Sequence, residues 1–470
     1  MDRTLARKSV LFLGHVTFIV LFVLAWNHAD LRTTSGDTAF QVFKWVNNAG
    51  WTVEAHRYSA ILPQAAVKCF RLFNAPLTLL LLVASVAHVL VAYAVFLICL
   101  LGLRAPRAAL ATALAAVLCT RLTFYGPVLE ANYLLCYPFL FFGLVEHVGR
   151  ASVGVTGGVS LIIAGAITLL VHPLGWLILL FGVVYLWSVG ELKVKAVLVI
   201  SIGLIIGAGM VRLLFPPTVY EQTQYAHLRD SLSSLGLGAE WDSWDFLVGH
   251  TFSLTTNYLP ALVVFLLVCT VLMARKHWKA AMVLFFGVVG FLALSMVTFR
   301  SGDTAIMMDR AFLPVASLIA LPSVYLLWEV RGRWAMVGIV MFVLVLFIKL
   351  RDISFASRPA QEQFTRVEQL LKEMRLERLA KVEVSKAEMQ GRSIDVSWSL
   401  PYATLLISSM EGPSHSATVR IERHIPNVPE DILSPEMLLS LEQTTLQLDK
   451  RYFQLPQVPY VHFPIAPHVH

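Results

Sequence analysis

Charge is scarce in this chain. Only 14% of its 470 residues are Asp, Glu, Lys or Arg, where a soluble domain carries about 25%. With 57% hydrophobic residues and a mean hydropathy of +0.69, the apolar surface is too large to hide from water. That excludes a disordered chain, a coiled coil and a nucleic-acid module. The net charge of +7 therefore reports membrane topology rather than DNA binding. Cysteine is scarce too. Cys69, Cys99, Cys119, Cys136 and Cys269 show no CxxC or Cys/His spacing, and no cysteine follows residue 350. A zinc module and a disulfide framework are thereby excluded. A fixed-period repeat is missing, which removes solenoids, and the two halves lack the inverted symmetry of many transporters.

What the chain does have is long apolar runs. A helix needs roughly 20 apolar residues to cross a bilayer. Eleven stretches fit: 9–26, 76–102, 108–124, 128–145, 157–171, 173–189, 196–215, 257–274, 280–299, 311–328 and 334–349. The pair 157–171 and 173–189 meets at His172-Pro173 and reads as a crossing pair or a re-entrant hairpin. Arg3, Arg7 and Lys8 precede the first run without a persuasive cleavage site, so that run reads as an uncleaved anchor. Basic residues then recur in alternate short connections, at Arg104 and Arg107, Arg150, Lys193 and Lys195, Arg275, Lys276 and Lys279, and Arg331 and Arg333. By the positive-inside rule these mark the cytoplasmic side. The expectation is an all-α polytopic membrane protein with about eleven transmembrane helices. Its N-terminus is cytoplasmic, and a small α+β domain, 351–470, is extracytoplasmic. In a Gram-negative host it sits in the inner membrane.

Within that tail the spacing of Phe364, Val367, Leu370, Leu371 and Met374 predicts a helix over 360–380. Strands are expected at 402–409 and 416–424 around the turn Glu411-Gly412-Pro413-Ser414, and a second helix at 435–448.

Candidate chemistry lies in two long outer loops, 27–75 and 216–256. After Asp37, apolar residues at 39, 42, 43 and 46 predict an amphipathic helix. Another is expected over 57–73, with Tyr58, Ile61, Leu62, Ala65 and Cys69 on one face. Such helices lie in the membrane interface. Asp37 reads as a helix N-cap, as a general base near the bilayer, or as both. Glu54, His56, Arg57 and Tyr58 follow. A cation there suits a phosphate, and Arg57 equally suits a snorkelling role. The second loop sets Trp241 and Trp244 among carboxylates, an arrangement that suits sugars and that an interfacial aromatic belt also provides. Arg300, Asp309 and Arg310 flank the tenth run. Charges at that depth default to function, with a structural ion pair the competing reading for Asp309. His15, His88 and His172 read as packed histidines. No metal ligands are assigned, no cofactor is called for, and a divalent metal stays open.

This layout resembles the GT-C superfamily of polytopic membrane glycosyltransferases. The shared features are the first span with its N-terminus inside, the long first outer loop, its acidic residue and interfacial helices, the eleven spans and the terminal outer domain. Gly36-Asp37-Thr38-Ala39-Phe40 stand at the place of that superfamily's loop acid, and Arg300 and Arg310 where its members hold the lipid phosphate. The resemblance covers roughly residues 1–350. It implies transfer of a sugar from a polyprenyl-phosphate donor, with Asp37 as base. Membrane lipid and that donor are the expected partners, with no nucleic acid. Residues 36–38 hold no tandem acidic pair, and the tail has no WWD-type motif. The absent acidic pair favours the alternative of a non-catalytic subunit that docks a protein partner through the C-terminal domain. A lipid or solute transporter is the third alternative.

Overall fold

The computed structural model describes the chain apart from residues 1–2, 54–57, 128–129, 150–153, 193–194, 215–218, 234–240, 331, 395–397, 422–436, 439–442, 445–446 and 464–470. The described chain is mostly helical. It opens with α1 (Arg3–Asn27), the short α2 (Ala29–Thr33), α3 (Gly36–Asn47) and α4 (Ile61–Leu72). The membrane-type helices follow: α5 (Leu77–Leu97), α6 (Pro106–Leu118), α7 (Tyr137–Val148), α8 (Val155–Val171), α9 (Gly175–Ser188) and α10 (Lys195–Leu214). Then come α11 (Val219–Ser233), α12 (Asp242–Val248), α13 (Leu259–Ala274), α14 (Trp278–Thr298), α15 (Ala305–Phe312), α16 (Val315–Glu329) and α17 (Arg333–Phe355).

The expectation of about eleven crossings is corrected. Among the described residues, three helices are long and apolar enough to cross a membrane: Leu77–Gly102, Trp278–Thr298 and Ala305–Glu329. Other expected spans form shorter apolar helices, among them Pro106–Leu118, Val155–Val171, Gly175–Ser188 and Leu259–Ala274. At 1.5 Å per residue, even 17 residues reach about 26 Å against a hydrocarbon core of about 30 Å. Local chemistry cuts the runs. α6 stops at Leu118, and 122–125 tightens into a 3-10 turn after Arg121. Residues 130–135 are a 3-10 turn as well, so the helix expected from 128 begins only at Tyr137, with Pro138 in its first turn. His172-Pro173 does separate α8 from α9. Gly175 is required there, because a Cβ would stand 2.3 Å from the Thr168 carbonyl oxygen.

The centre of the bundle is α6 against α16. Ala108, Ala109, Ala111, Ala113 and Ala115 are fully buried, and these small side chains let the backbones approach. Arg107 closes one end of the bundle, 3.3 Å from Glu146 and 3.1 Å from Glu191, with its guanidinium over the Tyr325 ring.

α3 forms as its spacing predicts, with Ala39, Val42, Phe43 and Val46 buried. α4 also forms, with the expected apolar face turned outward. Pro63, Gln64 and Val67 are buried, while Leu62, Cys69, Phe70, Leu72 and Phe73 are exposed. The protein-facing side is chosen by polar bonds instead. The Lys68 ammonium donates to the Trp45 carbonyl at 2.8 Å and to that of Asn48. Arg71 donates to the Asn48 carbonyl at 2.9 Å. Two cations thus serve the open carbonyls at the end of α3. Burial beside Arg71 pushes the Lys68 amine down to about 8.

The tail begins with α18 (Ser357–Leu376), which buries Phe364, Val367, Leu370, Leu371 and Met374 as its spacing predicts. β1 (Lys381–Val384), α19 (Lys386–Gly391), α20 (Leu400–Ser409) and β2 (Thr418–Ile421) follow. After them come β3 (Met437–Leu438), β4 (Gln443–Thr444) and β5 (Val461–His462). β1 is the centre of a three-stranded sheet and runs parallel to both β2 and β5. The strand expected at 402–409 is instead helix α20, wholly buried. A continuous apolar run has no period to separate strand from buried helix, and Pro401 in the first turn is a helix-start signal. The strand expected at 416–424 is realised as β2. Where the helix expected at 435–448 falls on described residues, β3 and β4 pair antiparallel and 447–448 form no α-helix; 435–436, 439–442 and 445–446 lie outside the described residues. A second apolar core joins tail and first loop, with Phe40, Phe43 and Trp45 packed with Tyr402, Leu406 and Phe453. Asp449 pins the seam, 2.7 Å from Arg71, while its N–H donates to the Asn47 side-chain oxygen at 2.8 Å.

Candidate active site

Asp37 stands in the first turn of α3. Gly36 before it has φ +50°, a conformation suited to glycine. Ser35 occupies the cap position, but its hydroxyl donates to the Tyr125 carbonyl at 2.8 Å rather than to the helix. No side-chain cap bond is made at this helix start. The Asp37 carboxylate turns to two residues far along the chain. Its Oδ2 lies 3.9 Å from Nη1 of Arg310 on α15. Its Oδ1 accepts from the Trp398 indole N–H at 3.1 Å. Asp37 and Arg310 keep 26% and 13% of their side-chain surface accessible. The packing of α3 on α20 sets this geometry. Phe40, one turn after Asp37, meets Trp398 edge-on at 5.2 Å and Tyr402 at 4.9 Å. Arg310 also reaches Met307 Sδ at 3.5 Å.

Asp309 adjoins Arg310 in sequence and faces the other way. It is 1% exposed. The Tyr258 hydroxyl donates to Oδ1 at 2.6 Å, the Asn257 amide to Oδ1 at 3.2 Å and the Leu122 N–H to Oδ2 at 3.0 Å. Behind it the fully buried Lys349 donates to the Asn257 carbonyl at 2.9 Å and to its side-chain oxygen. Lys349 lies 3.7 Å from Asp352. These groups tie α13, α15 and α17 together.

The remaining candidates fall into separate groups. Arg300 lies over the Trp241 ring at 5.7 Å, beside the Gly302 turn. Trp244 is exposed and also helps line an apolar cavity of about 250 Å³ with Phe252, Phe265 and Phe312. Tyr58 is exposed on the 3-10 turn before α4. Glu54, His56 and Arg57 lie outside the described residues, as does Glu240 in the second loop. Neither that apolar cavity nor the smaller one beside Arg32 is lined by Asp37 or Arg310. Among the described residues, no group of three His, Cys, Asp or Glu could hold a metal ion.

Sequence reasoning missed Trp398 and Lys349. Trp398 is a lone ring just ahead of an apolar run in a polar tail, with no pattern to mark it. Lys349 could have been found by the rule applied to Arg310, since it ends an apolar run of span length. No family model matches the chain, and neither a curated protein nor a solved structure matches it.

Proposed function

We propose that the chain is a membrane glycosyltransferase of the GT-C kind. It moves a sugar from a polyprenyl-phosphate donor to an acceptor at the outer face of the membrane. The observation that supports this is the meeting of Asp37 with Arg310, 273 positions apart in the chain and 3.9 Å apart in space. An acid and a cation that are both partly accessible suit the two ends of a displacement. The acceptor oxygen forms its bond to the anomeric carbon as the bond from that carbon to the phosphate oxygen breaks. Asp37 takes the acceptor's proton. The electron pair leaves with the polyprenyl phosphate, whose charge Arg310 stabilises. Trp398 orients the carboxylate through its N–H. The outward apolar face of α4 is suited to the headgroup region, and the apolar cavity beside Trp244 offers hydrocarbon a dry wall. In this reading some of the shorter helices also serve as spans, through local thinning or flanking turns, with the tail outside.

A second reading has its own support. Asp37 already has partners on α15 and ahead of α20, as a structural tether would. A non-catalytic subunit would keep that tether without chemistry. The test uses the purified full chain in nanodiscs with a synthetic polyprenyl-phosphate sugar and water as the acceptor of slow hydrolytic turnover, reading release of polyprenyl phosphate and free sugar. Asp37→Asn is expected to lower release by about 10²–10⁴-fold while the melting temperature holds. Release at the wild-type rate would reduce Asp37 to a tether.

A further inference from the structure

The cavity behind Trp244 measures about 250 Å³, where a single water needs about 10–15 Å³. It opens at Trp244, Phe252 and Val289, all exposed, and reaches inward to Cys119, Ala261 and Phe312, all buried. Two of its lining residues carry hydroxyls, and both hydroxyls are spent elsewhere. Thr251 donates to the Leu247 carbonyl at 2.6 Å, and Tyr258 donates to Asp309 at 2.6 Å. The Cys119 sulfur behaves as a small apolar surface. A water held in a cavity needs two to four polar partners, which this wall does not supply. An apolar hollow of about 150 Å³ already stays dry and takes up benzene. Dry space of this size, open at one side, suits an apolar ligand.

The surroundings of the mouth say which ligand. α14 supplies Val288, Val289 and Leu292 to the wall. It is one of the three helices long and apolar enough to cross a membrane, and only 33% of its apolar stretch is buried. Phe285, Phe286 and Leu294 on it are exposed, so hydrocarbon is what covers this face in a bilayer. Leu292 lies about 9 Å before the helix end at Thr298, at 1.5 Å per residue, which sets the mouth at hydrocarbon depth. At that end the Ser243 hydroxyl donates to the Met296 carbonyl at 3.0 Å and holds α12 across α14. Beyond it Arg300 lies over the Trp241 ring, a cation and a ring of the kind that meets lipid headgroups. The cavity is closed off from the Asp37–Arg310 pair, and neither of those residues lines it. Arg310 and Phe312 stand about 200° apart around the axis of α15, so that helix lies between. A lipid held by its phosphate at Arg310 leaves on the far side of α15.

We infer that this cavity is a binding site for one acyl chain of a bilayer phospholipid. The chain enters sideways between Phe252 and Val289, and its headgroup stays at the interface beside Trp241 and Arg300. The site is separate from the Asp37–Arg310 pair and does not require transferase activity. It holds a lipid whether or not Asp37 acts as a base.

The experiment places the purified full chain in nanodiscs of phosphatidylcholine that carry a diazirine in the acyl chain. After illumination, mass spectrometry maps the labelled residues. Any lipid-facing side chain will be labelled, so Leu266 and Phe286, both exposed and outside the cavity, serve as the internal reference. The expected result is label on Ala261 and Phe312 as well, which a bilayer merely touching the protein does not reach. The informative variant is Val289→Trp. Val289 is exposed at the mouth, so a larger side chain there narrows the entrance without overpacking the core. It is expected to lower the label on Ala261 and Phe312 at least fivefold, with label on Leu266 and Phe286 and the melting temperature unchanged. In a second arm, polyprenyl phosphate is added to the nanodiscs at equal amount to the labelled lipid, and the deep label is expected to persist. The inference is overturned if Ala261 and Phe312 stay unlabelled, if Val289→Trp labels them as the wild type does, or if polyprenyl phosphate abolishes their label.

Discussion

Asp309 and Arg310 are neighbours on one short helix with opposite surroundings. Asp309 is buried, accepts three hydrogen bonds and has a buried lysine behind it. Arg310 reaches sideways to a carboxylate at 3.9 Å and stays partly accessible. A buried carboxylate saturated with donors has little left for a ligand and is bound to the fold. A pair at 3.9 Å, part open to solvent, forgoes some of its attraction. The contrast separates two settings of charge in an apolar protein, one enclosed and bonded into the helix packing and one left partly open where the first loop meets α15.

The buried side can be broken first, and there the effect is largest. Lys349→Met leaves Asp352 and the Asn257 oxygens without their cation. It is expected to destabilise the chain by about 3–5 kcal/mol, the usual cost of removing one partner from a buried charged network. Chemical unfolding in detergent checks this. Loss of less than about 1 kcal/mol would mean that the network behaves like a surface pair. On the open side, Trp398→Phe keeps the packing on Phe40 and deletes one N–H. Stability should hold, while release of polyprenyl phosphate should slow by roughly fivefold, from an orienting hydrogen bond worth about 1 kcal/mol. Single-turnover kinetics at saturating donor measure it, and an unchanged rate removes Trp398 from the site.

The smallest effect sharpens the seam between tail and first loop. Burial pushes the Asp449 carboxyl up, but hydrogen bonds from Arg451 and Arg71 outweigh that and hold it at about 2. A carboxyl whose folded value lies below its unfolded value of about 3.9 contributes stability that is fully present above pH 4. That stability is lost as pH falls through about 2. The wild-type melting temperature should therefore drop more between pH 4 and pH 2 than that of Asp449→Asn. Parallel curves would show that the Arg71 pair is idle.

Much of the outline was legible in the residues. α3 was marked by Asp37 and a clean stripe at 39, 42, 43 and 46, and α18 by five apolar residues at helical spacing. The break at His172-Pro173 followed from proline chemistry. Other features needed tertiary information. The α4 stripe was seen, yet its direction was decided by Lys68 and Arg71 reaching the end of α3, bonds that no period encodes. Span lengths failed because 3-10 turns after Arg121 and Glu130 consume residues that hydropathy alone assigns to helix. α20 read as a strand because a run buried on every side carries no face. At the site, Asp37 and Arg310 were each visible as charges near apolar runs, but their meeting was not. Trp398 had no signal.

The most direct test of the central claim is a double-mutant cycle between Asp37→Asn and Arg310→Gln. Its readout is release of polyprenyl phosphate by the full chain in nanodiscs. If acid and cation serve one displacement, each single variant loses most of the rate. The double variant then loses far less than the product of the two losses. Independent, multiplying losses, or wild-type release in either single variant, would contradict a shared site.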